Sequence, residues 1–187
     1  MEELFEALRN FYMLPQQLKE HIASGLEFFT WNPEDKPVIV GQVSRYIYYL
    51  QAGLLVIRQP GEEKSSISWV LVKGDFVVVP SSFFTQTPSK EEIIVVEPVE
   101  AIGYTHERLE NACDQNAVFN KHYKLINAHY RDLEASRAKE LLAMKPDERL
   151  AWLWQHHPDY FSRLSVEMIC EYLGISKDQY NRYIGRR

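Results

Sequence analysis

The sequence predicts an α+β protein: a small antiparallel roll or barrel of short strands, then one long helix, then a helix-turn-helix. Three observations predict it. Over residues 38–104 apolar residues recur in short alternating runs broken by glycine, proline and charged turns. From Phe119 to Leu133 they step by four and three residues, the spacing of a helix seam. Near the C-terminus Gly174 and Ser176 separate two short stretches of helical periodicity. With 187 residues, 45% hydrophobic and 13% aromatic, the chain can bury a core without disulfides or a structural metal.

Taken in order, Leu4, Phe5, Leu8 and Phe11 fall on one face of a helix expected to end near Leu14 and Pro15. Residues 16–24 form a second helix closed by Gly25, and both are expected to cap the strands. The strands are expected at residues 46–50, 54–58, 66–72, 76–79, 93–96 and 101–104. The alternation is cleanest in the third, where Ile67, Trp69 and Leu71 should share one face and Ser66, Ser68 and Val70 the other. Gln59-Pro60-Gly61 is a turn, because proline presets φ and glycine accepts positive φ.

A helix over residues 115–143 would span about 40 Å at 1.5 Å per residue, too long for so small a roll to cover. Its seam, Phe119, Tyr123, Ile126, Tyr130 and Leu133, either packs on the chain's own strands or joins a second copy across a two-fold axis. The second is the expectation, with Leu125, His129 and Leu133 on the side facing the roll. Met144-Lys145 is the expected hinge, and Pro146 opens the next helix with Asp147 and Glu148 in its first turn. His156 and His157 end that helix; neighbours on a helix point about 100° apart and chelate one ion poorly, so they are expected to be solvated.

Two helices meeting at a steep angle need a small residue at the contact, a glycine to turn the chain and a cap for the second helix. Cys170, Gly174 and Ser176 supply these. Met168, Ile169, Leu173, Ile175, Tyr180 and Ile184 should form the shared apolar face. Lys177, Asp178, Asn181 and Arg182 then point outward with Gln179 beside them, donors and acceptors suited to base edges and phosphates in a major groove.

Charge follows the same division. The net charge of −5 is the sum of −8 over residues 1–114 and +3 over residues 115–187. Positive charge is densest at the end, where Lys177, Arg182, Arg186 and Arg187 face one acid, Asp178, so an anionic partner is expected to dock there. Aliphatic runs of only four residues exclude a membrane helix. The acidic N-terminus lacks the layout of a secretion signal, and Cys113 and Cys170 cannot build a disulfide framework, which points to the cytoplasm.

At this point the chain resembles the Crp/Fnr transcriptional regulators. The resemblance rests on the order of helical cap, roll with Gly74-Asp75-Phe76, long helix and helix-turn-helix. Its most specific stretch is Ile169-Cys170-Glu171-Tyr172-Leu173-Gly174-Ile175-Ser176-Lys177-Asp178-Gln179-Tyr180-Asn181-Arg182, similar to the family's "IA.YLGI....LSR", with Pro146-Asp147-Glu148-Arg149 and His157-Pro158 upstream. It implies a jelly-roll-like cyclic-nucleotide-binding fold (a double-stranded β-helix) over residues 1–114, a dimerisation helix over 115–143 and a DNA-binding domain over 144–187. It also implies a homodimer on double-stranded DNA, RNA polymerase as a further partner, Lys177, Asp178 and Arg182 in base-reading positions, and Ser176 and Gln179 in phosphate-holding ones.

The chain departs from the family where a cyclic nucleotide would sit. Members that bind one follow Gly-Asp-Phe with a Gly-Glu pair for the ribose and, later, an Arg-Ser/Thr pair for the phosphate. Here Phe76 is followed by Val77, Val78, Val79 and Pro80, and the later stretch is Ser89-Lys90-Glu91-Glu92. A lysine lacks the bidentate fork of arginine, and two acids repel a phosphate. Cyclic AMP and cyclic GMP are therefore not expected as tight ligands. A pocket around Phe76, Val78, Val79, Ser89 and Lys90 would take another small-molecule effector, or none. No cysteine precedes Cys113 to hold an iron–sulfur cluster, His21 and His106 are isolated, and no cofactor is expected. Only Arg163-Leu164 precede the helix-turn-helix and Gly185-Arg186-Arg187 follow it in this sequence, so the small β wing of many relatives is not expected.

Two other classes remain. A module of the same fold that has lost DNA binding is favoured by the missing wing and opposed by the intact turn, cap and basic face. A cupin-like metalloenzyme needs several histidines inside the roll, and residues 38–104 contain none.

Overall fold

The computed structural model describes residues 1–185, apart from the side chains of Glu134 and Leu142. Helices α1 (Glu2–Phe11) and α2 (Gln16–Ser24) precede strand β1 (Glu27–Trp31). Strands β2 (Tyr46–Gln59), β3 (Ser66–Val72) and β4 (Phe76–Val77), the short helix α3 (Pro80–Phe83) and strand β5 (Glu92–Thr105) complete the roll. All pairings are antiparallel, in the order β1-β5-β2-β3, with β4 also on β2. Then follow α4 (His106–Gln115), α5 (Ala117–Ala143), α6 (Pro146–His156), α7 (Tyr160–Arg163), α8 (Val166–Leu173) and α9 (Lys177–Ile184).

The expected strands at 46–50 and 54–58 are one long strand, β2, and those at 93–96 and 101–104 are likewise β5. Gly53 explains the continuity: at φ 93° the chain kinks without ending, and the ladder resumes with shifted register on either side. A Cβ there would lie 2.2 Å from the Pro98 carbonyl oxygen, so only glycine lets β2 and β5 approach at this bend. The fourth strand is only two residues long, and β1, α3, α4 and α7 had no expectation in the sequence.

The face assignment in β3 also changes. Trp69 and Leu71 pack inside the roll, but Ile67 joins Val70 on the opposite side. Ile57 pairs with Trp69 and the next residue, Arg58, with Ile67, so Ser68 is bulged out and the residues before it change face. Both sides of the sheet are buried here. Leu55, Ile57, Leu71, Ile93 and Val95 fill the roll's interior, whereas Leu54, Val56, Ile67 and Val70 lie in one core with Leu150, Leu153, Leu164, Ile169 and Leu173 of the C-terminal helices.

The long helix is present, with the side-chain oxygen of its N-cap Asn116 accepting from the amides of Val118 and Phe119. Its two faces are the reverse of the expectation. Phe119, Tyr123, Ile126 and Tyr130 pack on the chain's own roll and N-terminal helices, while His129 and Leu133 are exposed and Leu125 is half-buried. The reason is the apolar face of α1, α2 and α4, which extends the roll and covers the aromatic half of the seam. Met144 interrupts the helix in an extended conformation, and Pro146 is the first residue of α6, both as expected.

Candidate functional site

Two features stand out: the C-terminal helix pair with the contacts that seat it, and a cavity beside α5. In the helix pair, Gly174 adopts φ 65° and ψ 35°, the left-handed conformation that closes α8, and its amide donates to the Cys170 carbonyl. Ser176 starts α9 with a reciprocal cap: its Oγ accepts from the Gln179 amide at 3.2 Å, and the Gln179 Oε1 accepts from the Ser176 amide at 2.8 Å. Gln179 is therefore engaged locally and half-buried. Lys177, Asp178, Asn181 and Arg182 are exposed, and Lys177 stands 3.7 Å from Glu167. Ile184 is exposed rather than in the apolar face, and Arg186 and Arg187 lie outside the described residues.

Four arginines, none given this role by the sequence, seat this pair. Arg58 on β2 donates two hydrogen bonds to Glu171 on α8, at 2.9 and 2.6 Å. Arg163 on α7 donates two to Glu97 on β5, at 2.8 and 2.7 Å, which raises the guanidinium's pKa and lowers that of the carboxyl. Arg149 donates to the Leu173 carbonyl at 2.9 Å, satisfying the end of α8. Arg137 on α5 joins three elements: it donates to the Ser68 and Ile67 carbonyls of β3 and, at 2.8 Å, to the Tyr172 carbonyl of α8, and it lies 4.0 Å from the centre of the Tyr172 ring. Apart from Arg149, which lies in the Pro146-Asp147-Glu148-Arg149 stretch, no local motif marks these residues; their partners are 24 to 113 positions away.

The cavity, of about 420 Å³, lies between the roll, the N-terminal helices and the first half of α5. Leu4, Leu8 and Ile22 wall one side, Phe76 and Val78 the roll side, and Tyr123, Ile126 and Tyr130 the helix side. Tyr130 is held by the Phe76 amide, which donates to its Oη at 2.8 Å, and burial raises its phenol pKa. Of the five residues expected to form an effector pocket, Phe76 and Val78 line this cavity. The other three do not. Val79 is fully buried inside the roll, Ser89 is buried and bonded to the Glu91 backbone, and Lys90 is exposed. The turn around Ser89 is spent on its own backbone hydrogen bonds, so it offers nothing to the cavity. Arg131, exposed, is the lone Lys, Arg, Asp or Glu among the described lining residues. His122, which no sequence pattern singles out, lines the cavity and is 3% exposed.

No protein-family model matches the chain, and no curated protein matches it. Solved structures do. A candidate transcriptional regulator of the crp/fnr family from Eubacterium rectale superposes with a TM-score of 0.75 at 11% identity, over 92% of this chain and 83% of that one. FixK2 from Bradyrhizobium japonicum gives 0.72 at 14% identity, over 86% and 83%. The c-di-GMP-responsive global regulator CLP from Xanthomonas campestris gives 0.70 at 14%, over 90% and 89%. At such identities the likeness shows the fold: a mixed α/β architecture on an antiparallel sheet, as in the cyclic-nucleotide-binding fold of Crp/Fnr regulators. Among the described residues no helix is long and apolar enough to cross a membrane.

Proposed function

We propose that this chain is a DNA-binding transcription regulator of the Crp/Fnr kind, a cytoplasmic homodimer rather than an enzyme. In this reading residues 1–114 are an effector roll, 115–143 a dimerisation helix and 144–187 the DNA-binding domain. The observation that carries it is the α8–α9 pair. Its turn and caps are built from Gly174, Ser176 and Gln179, and it leaves Lys177, Asp178, Asn181 and Arg182 exposed along one short helix. That is the set of groups a recognition helix brings to a major groove. Ser176 and Gln179 sit at the helix start, where backbone amides favour phosphate, and Arg186 and Arg187 add positive charge beyond it.

The dimer forms through the outward face of α5, which carries Leu125, His129 and Leu133 now that the aromatic face is occupied. The arginine contacts to Glu171, Glu97 and the backbone of β3 hold the recognition helix in one placement relative to the roll. A ligand in the cavity touches the same long helix, so the cavity is the effector site, and RNA polymerase is the downstream partner. Its walls, apolar but for a few polar groups, with the exposed Arg131 as the lone Lys, Arg, Asp or Glu among the described lining residues, disfavour a cyclic nucleotide, whose phosphate needs several charge-assisted bonds.

Fluorescence polarisation with selected duplexes across a salt series tests this. The expected result is a specific site whose log K falls steeply with log salt, and which Arg182→Ala weakens by about 1–3 kcal/mol. An absence of sequence preference in the purified protein, with or without cell-extract metabolites, would overturn it.

A further inference from the structure

The cavity beside α5 is walled mostly by aliphatic and aromatic side chains, in a volume within the usual range for small-molecule sites. Several of its polar groups are already engaged. The Tyr49 hydroxyl donates to the Glu3 carbonyl at 3.3 Å, and the Tyr123 hydroxyl is met by the Asn127 amide one turn on. His122 spends Nε2 on the Met13 carbonyl, and its Nδ1 is enclosed by the protein, out of a ligand's reach. The groups left over are all able to donate. Among the described residues the Trp69 indole N–H and the Arg131 guanidinium, which only donate, make no hydrogen bond or ion pair. Tyr130 Oη accepts from the Phe76 amide, which leaves its hydrogen to give. The hydroxyls of Tyr48 and Tyr104 are also unpaired among the described residues, and neither is enclosed. No described Asp or Glu lines the cavity; Asp75, whose charge bears on Tyr130, accepts from the Val72 amide in its own turn. The donors also have a place. Tyr130 and Arg131 follow Phe119 and Ile126 along α5, and the Trp69 ring lies 5.8 Å from that of Tyr130, so one end of the helical wall is donor-rich and the rest apolar.

We propose that the cavity binds an apolar monocarboxylate, an aliphatic or aryl-alkyl acid whose body lies along the apolar walls and whose carboxylate meets Arg131 at the donor-rich end. This rests on reading the cavity as the effector site and names the ligand class of that site. One guanidinium fork matches one carboxylate, which it binds through two parallel hydrogen bonds. A phosphate brings more charge than a single exposed arginine offers. A cation would meet Arg131 with like charge, and a purely apolar molecule would leave the donors unpaired. Arg131 lies less than two turns before Arg137 on the same helix, so the bound carboxylate bears on the element that seats α8.

The test uses a matched pair of probes on the intact protein at neutral pH: decanoate, and 1-decanol, which has the same chain and no charge. Calorimetric titration should give decanoate about tenfold tighter binding, the low end for bonds to a charged group because Arg131 is exposed. In Arg131→Gln that preference should vanish. In the wild-type protein the indole N–H resonance of Trp69, assigned with Trp69→Phe, should move on adding decanoate, which locates the ligand in the cavity without relying on the folding of the Arg131 variant. Equal affinity for the two probes, binding of neither, a preference that survives in Arg131→Gln, or a Trp69 resonance unmoved by decanoate would overturn the proposal. DNA binding is measured in parallel. Specific DNA binding without any decanoate preference rejects this inference alone, whereas decanoate seated beside Trp69 in a protein that binds no DNA supports it and rejects the regulatory reading.

Discussion

Arg137→Met should loosen the C-terminal helices from the roll by about 3 kcal/mol. The substitution keeps the apolar stem and removes the guanidinium, and with it three hydrogen bonds to the Ser68, Ile67 and Tyr172 carbonyls and the contact over the Tyr172 ring. Bonds to a charged donor are worth roughly 1.5–3 kcal/mol each, and a cation over a ring about 0.5–1 kcal/mol where exposed. The sum of the low ends is about 5 kcal/mol. Two terms reduce it: the bonds share one side chain and are not additive, and Nε is already buried without a partner in the intact protein. Urea unfolding followed by tryptophan fluorescence suits the question, since Trp31 and Trp69 report the roll and Trp152 and Trp154 report α6. The expected outcome is a first transition in which the C-terminal helices melt ahead of the roll. A single transition within about 0.5 kcal/mol of the parent, the range of an ordinary surface substitution, would refute the reasoning.

Further outcomes follow from other contacts. Gly53→Ala should cost about 3 kcal/mol or more, because it combines positive φ with a Cβ at 2.2 Å from the Pro98 oxygen; a melting curve checks it. Glu97→Gln should destabilise by about 1 kcal/mol at neutral pH, a modest figure for a pair open to solvent. The Arg163 hydrogen bonds lower the Glu97 pKa, so this stability is present above the unfolded carboxylate's pKa and lost as pH falls through the folded one; the two proteins should therefore converge in acid denaturation. Leu133→Lys should shift a dimer to monomer in light scattering while leaving the monomer's melting unchanged, since that side chain is 44% exposed.

Much of the fold was legible because it is written in local chemistry. Gly25, Pro146, Gly174 and Ser176 each act within four residues, through a cap or a turn, and the boundaries they set were readable. Short-range periodicity also located the roll. It failed where one residue interrupts the count: Gly53 joins two strands, and the bulge at Ser68 reverses the faces before it. The seam of α5 has the period of a coiled coil, but period alone does not name the surface it meets, and α1, α2 and α4 supplied that surface first. The cavity was half legible. Phe76 and Val78 lie where the apolar run after Gly74-Asp75 put them, while Lys90 and Ser89 were placed by correspondence with a phosphate grip that this chain does not build. His122 gave no signal, since a histidine at a helical position gains meaning only from Met13, more than a hundred residues away.

The central claim is that two copies of the α8–α9 pair read DNA together. Selecting bound duplexes from a random-sequence pool with the purified full-length protein tests it most directly. The expected product is a two-fold symmetric site whose half-sites lie about 34 Å, one helical turn, apart. Enrichment of no sequence, or of a single asymmetric site, would contradict it.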